Sequence, residues 1–160
     1  AVNVFYLDED IYVNASYHCD KHVVKMILEY AQLLSTAHHI HESDIAHMVY
    51  RKTHYNHPSA VWARANGMNY AYLYYLFKAL CSEYTTRYGK VHSTWTKLGL
   101  LLAKIPDKME LGEFYPPPQC MPDQYKQPDT VKAYRAYYLG DKQSFAKWKY
   151  TTEPYWWNES

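Results

Sequence analysis

Between Ser16 and Thr36 the chain inverts the usual pattern of a surface helix. At about 100° per residue, His18, His22, Lys25, Glu29, Gln32 and Thr36 share one narrow stripe, while Val23, Val24, Met26, Ile27, Leu28, Tyr30, Ala31, Leu33 and Leu34 fill most other positions. A surface helix carries one apolar stripe on a polar background. A helix apolar on most faces is expected to be buried on most faces, with its polar seam lining an internal cleft. The alternative is that the seam is the solvated face of a central helix, with Lys25 and Glu29 as an i,i+4 pair.

The rest of the pattern predicts further helices. Asn3–Leu7 is a short apolar run, a strand or an extended anchor, and Asp8, Glu9 and Asp10 then signal a helix start. The seam helix is expected from about Ile11 or Asn14 to Ala37. Asn56 or His57 can cap a short helix with Pro58 at its first position, and Gly67 should interrupt it. Asn69 can cap a helix that runs from Tyr70 to Tyr88 and ends at Gly89. Ser93–Ala103 reads as another helix, stopped by Pro106. Residues 106–128 hold six prolines and should wrap or cover the body. Asp129 or Thr130 should open a helix that Gly140 ends, followed by a last short helix over Lys142–Lys149. The tryptophans of the closing segment should pack back on the body. The expected architecture is all-α: a single helical domain over 1–160, a bundle around a long central N-terminal helix with a Pro-rich wrapping loop.

Length and composition suit one domain with a sizeable core. No apolar run is long enough to span a membrane, and the first residues, AVNVFYLDED, lack the basic-then-apolar order of a signal peptide. Ala1 is small enough to follow a removed initiator Met, which would leave a free amine. Cys19, Cys81 and Cys120 are odd in number and form no CxxC pair, as expected of reduced thiols in a cytoplasmic protein.

The net charge of +1 decides little, but Tyr125–Tyr150 carries six basic and two acidic residues. Tyr134, Tyr137, Tyr138, Phe145 and Trp148 interleave with them, the mixture that phosphate attraction and base stacking use. An amphipathic helix with tyrosines inside and lysines outside has the same composition. The nineteen tyrosines and five tryptophans suit flat ligands or an aromatic core equally.

Three chemistries are compatible with the seam. His18 and His22 stand four apart, a metal-ligand spacing that His54, His57 or Glu29 could complete, but there is no HExxH, and the expectation is no metal and no cofactor. His18 or His22 with Glu29 could move protons. Lys21, Lys25 or the Ala1 amine could form a Schiff base with an opened sugar. A second cluster, His54, His57, Trp62 and Arg64, could stack on a base and clamp phosphate.

The segments SYHCDKHVVKMILEYAQLLSTAH, NHPSAVWAR, ALCSEYTTRYGKVH, PQCMPDQYK and AYRAYYLG together resemble an uncharacterised family of small phage proteins. A more distant resemblance is to the phage pyrimidine-dimer DNA glycosylases, which are compact and all-helical. Tyr17-His18 stands where their first-helix element would be, Glu83…Arg87-Tyr88-Gly89 resembles their Glu…Arg-Gly-Tyr turn, and Tyr137-Tyr138-Leu139-Gly140 resembles their C-terminal aromatic segment. Cys19 or Asp20 occupies the place of the expected Glu, and no Arg-Glu pair is present. The resemblance implies attack on a sugar by a free N-terminal amine, assisted by a helix-borne Glu.

The leading expectation is therefore an enzyme acting on nucleic acid or nucleotides at an N-glycosidic or related bond. His18, His22 and Glu29 would handle protons, and Lys25 would stabilise or trap the sugar. Gln32, His54, His57, Trp62, Arg64, Arg135 and Tyr138 would bind substrate. The alternatives are a non-catalytic protein that sequesters a small nucleotide signal, and a metal-dependent hydrolase.

Overall fold

A computed structural model describes residues 2–158, and the Ala1 amine lies outside them. The fold is all-α: α1 (Ile11–Tyr17), α2 (Asp20–Ile40), α3 (Pro58–Ala63), α4 (Gly67–Tyr88), α5 (Ser93–Leu98) and α6 (Thr130–Asp141), with short 3-10 turns between them. No strand occurs among the described residues. The two long helices, α2 and α4, pack on each other, and α1 and α3 pack against that pair. One core cluster runs from Val2 to Trp157.

Local sequence explains most helix ends. Asp10, Asn66 and Asp129 cap α1, α4 and α6 by accepting the N–H of Val13, Asn69 and Lys132. His57 caps α3, with Pro58 first in the helix. Gly89 closes α4 at φ +70°, where residues other than glycine are strained. Asn66 displaces Asn69 as the α4 cap because Gly67 starts the helix instead of interrupting it.

The predicted long seam helix is two helices. Its break at His18 and Cys19 is held by distant parts of the chain. Arg87 donates to the carbonyls of Ser16 and His18, Cys19 N–H donates to the Tyr138 hydroxyl at 3.2 Å, and Asp20 N–H donates to Lys147 O at 2.8 Å. Tertiary partners thus replace the helical ladder that would have carried α1 into α2.

The Asn3–Leu7 run is an extended anchor threaded through the core. Its peptide groups bond to side chains: Phe5 N–H donates to Tyr30 Oη, Asn14 accepts Leu7 N–H at Oδ1 and donates from Nδ2 to Phe5 O, and Arg135 Nε donates to Leu7 O. The Pro-rich stretch wraps as expected. It also supplies acceptors for α4, since Glu110 O and Leu111 O take the N–H groups of Gly67 and Met68, which have no partner within the helix. A Cβ on Gly67 would stand 3.2 Å from Leu111 Cα, so any larger residue would push the Pro-rich stretch back by a few tenths of an ångström.

Two expectations at the C-terminal end are corrected. The α6 helix continues through Gly140 to Asp141. Lys142–Lys149 makes one turn and then runs irregularly, because Lys147 O and Lys149 N–H are committed to Asp20 at the start of α2. Trp148, Trp156 and Trp157 are buried, as expected of a segment folded back on the body.

Candidate functional site

The seam residues divide between core and surface. His18, now the residue after α1, is fully buried. Its Nδ1 bonds Asn14 O at 2.8 Å and its Nε2 meets Tyr30 Oη at 2.8 Å. A carbonyl only accepts, so Nδ1 carries the proton and Tyr30 donates to Nε2. His22 is stacked on Phe5 with centroids 4.4 Å apart and shares a 2.6 Å hydrogen bond with Tyr138 Oη. Burial holds His18 down at about 4, and burial with the nearby His18 and lysines holds His22 lower still, at about 2. Both are neutral core histidines whose sealed rings touch no cleft, which removes them from the expected proton-handling role.

Arg87 closes the same cluster. Its side chain is fully buried, with Nε 2.9 Å from Glu83 and Nη1 3.1 Å from Asp20, besides the two carbonyls it holds. The Glu83…Arg87-Tyr88-Gly89 segment is thus a clamp between α4 and the α1–α2 break. Replacing Tyr138 by Phe should destabilise the fold by about 1–3 kcal/mol, because Cys19 N–H and His22 lose their buried partner. Chemical denaturation followed by tryptophan fluorescence measures it.

The expected substrate-binding residues scatter. Tyr138 is fully buried, and Tyr134 and Tyr137 lie with it on the inner face of α6, so the basic–aromatic segment is an amphipathic helix and not an open stacking platform. Arg135 is held by Leu7 O, Asp8 and Tyr155 Oη. Trp62 is core, its Nε1 donating to Tyr115 O. Arg64 bonds the carbonyl of Tyr55, His54 is exposed, and His57 serves as the α3 cap. Gln32 is half-buried on α2. Among the described residues no three His, Cys, Asp or Glu side chains gather as a metal site would require.

The remaining seam residues, Lys25 and Glu29, do line a cleft. The open side of α2 runs through Lys21, Val24, Lys25 and Leu28, turned slightly from the predicted seam. Beside it lies a cavity of about 510 Å³ between α2, Tyr50 and the start of α5, lined by Val24, Lys25, Leu28, Glu29, Tyr50, His92 and Lys97 among others. That volume falls in the range of small-molecule sites, roughly 300–1,000 Å³. Lys25 is open to solvent with its amine 3.6 Å from the mostly buried Glu29 carboxylate. Tyr50 is fixed by a 3.0 Å hydrogen bond to Thr94, and His92 is fixed as the α5 cap by accepting Thr94 N–H.

Tyr50, His92 and Lys97 were missed in the sequence. Only His92-Ser93-Thr94 carries a signal, the start of a helix, and it says nothing of facing α2. No helix among the described residues is long and apolar enough to cross a membrane. Compared with family models, curated proteins and solved structures, the chain matches none.

Proposed function

We propose that this protein binds a small nucleotide in the cleft between α2 and α5. The observation that carries the reading is the composition of its walls: two lysines, two flat rings and an apolar surface in one cavity of suitable size. Lys25 and Lys97 suit phosphate, Tyr50 and His92 offer faces to a base or sugar, and Val24 and Leu28 are apolar side chains left 43% and 41% exposed on the open side of α2. Holding a nucleotide, as a protein that sequesters a signal would, needs no proton-moving histidine, and His18 and His22 are sealed away.

Removing both amines, in Lys25→Ala/Lys97→Ala, should weaken nucleoside monophosphate binding about tenfold at low salt, and the wild-type affinity should fall as salt rises. Isothermal titration measures both. A folded wild-type protein that binds no nucleotide would remove the reading.

A second reading, glycosylase or lyase chemistry, is favoured by one feature: the Lys25 amine stands beside the Glu29 carboxylate on the cleft wall. It predicts a borohydride-trapped adduct with abasic-site DNA that Lys25→Ala abolishes.

A further inference from the structure

The chain satisfies its buried polar atoms almost completely. Among the described residues only two buried side-chain nitrogen or oxygen atoms lack a hydrogen-bond partner, Glu29 Oε2 and Trp156 Nε1. Glu29 Oε2 belongs to a side chain only 15% exposed, in the wall of the α2–α5 cleft. The nearest cation, Lys25 Nζ, stands 3.6 Å away, too far for a hydrogen bond, and its own side chain is 66% exposed. A buried carboxylate oxygen without a donor is costly, and a carboxylate only accepts. The oxygen is covered in this arrangement, and a turn of the Glu29 side chain toward the cleft it lines would let a ligand bring the missing N–H groups.

We infer that Glu29 reads the Watson–Crick edge of a guanine base held in this cleft. The inference rests on the nucleotide-binding reading of the same cavity. Guanine presents N1–H and an N2 amino group side by side, two parallel donors that one carboxylate accepts together. Adenine and cytosine present an amino group next to a bare ring nitrogen, and uracil presents one N–H between two carbonyls, so each sets a lone pair against the carboxylate. Tyr50 and His92 supply rings for the base, and Lys25 and Lys97 lie on the same cleft for the phosphate. The base can belong to a free nucleotide or to a single strand.

The test is calorimetric titration of wild type and Glu29→Gln with GMP, IMP, AMP and CMP, and with single-stranded oligonucleotides carrying one guanine or none. GMP should bind at least tenfold more tightly than AMP or CMP, with IMP, which lacks the N2 amine, between them. In Glu29→Gln the preference for GMP over AMP should fall below threefold. Tighter binding of GMP than of the guanine-bearing oligonucleotide assigns the site to free nucleotides, and the reverse order to single strands. Equal binding of AMP and GMP by the wild type, a measurement independent of any variant, overturns the guanine assignment and leaves the nucleotide reading standing. An unchanged preference in a folded Glu29→Gln also overturns it. Absence of binding by any of these ligands at millimolar concentration overturns both.

Discussion

Acidification from pH 7.5 to 4.5 should remove about 5 kcal/mol of stability through two buried histidines alone, a large share of what a domain of this size possesses. His18 and His22 are held neutral in the folded state, at about 4 and about 2, and titrate near 6.5 once unfolded. Below 6.5 the unfolded chain binds protons that the folded chain refuses. The stability is therefore complete above 6.5 and lost as pH falls, at about 1.4 kcal/mol per pH unit for each ring. His38, bonded to Ser43 and Tyr70 and held at about 4 chiefly by burial, pulls the same way. Urea midpoints at pH 7.5, 6.5, 5.5 and 4.5 measure the effect. A midpoint constant over that range would show that these rings are not sealed.

The second large effect is at Arg87. Arg87→Met should cost about 3–5 kcal/mol and lower Tm by roughly 10 °C. The loss is large because four acceptors depend on one guanidinium: the Glu83 and Asp20 carboxylates and the Ser16 and His18 carbonyls. Arg87→Lys should recover little, since one ammonium cannot reproduce the planar fork. Thermal unfolding by circular dichroism distinguishes the outcomes. A loss under 1 kcal/mol for Arg87→Met would mean that the α1–α2 break holds without its clamp.

What the sequence revealed and what it hid follow from the range of the interactions. The start signals at Asp8–Asp10, at Asn56 or His57 and at Asp129 or Thr130, and the stop at Gly89, are local, and the caps fall among them at Asp10, His57 and Asp129. The break after Tyr17 was not, because Arg87 and Tyr138 enforce it from 69 and 119 residues away. The same distance misplaced His18, which the break turns off the helix that carries Lys25 and Glu29, while His22 stays on that helix and is covered by Phe5 and Tyr138. The tyrosines of α6 fitted a stacking platform and a buried face equally, and only the neighbouring Phe5 and Trp148 decide between them. Of the cleft, the α2 side was legible, while Tyr50 and Lys97 come from stretches whose sequence carries no sign of facing it.

The buried N-terminal anchor has a consequence for synthesis. Asn3 bonds Tyr134, Leu7 bonds Arg135, Tyr17 bonds Trp148 and Cys19 bonds Tyr138. Asn3, Leu7, Tyr17 and Cys19 therefore wait for partners made more than a hundred residues later in synthesis. The nascent chain cannot complete this part of its interior until α6 and Trp148 have been made, and closing such distant pairs is slow. Until α6 emerges, Phe5 lacks the rings of Tyr134, Tyr137 and Tyr138 that cover it, and that interval is when the cell's chaperones have most reason to hold the chain.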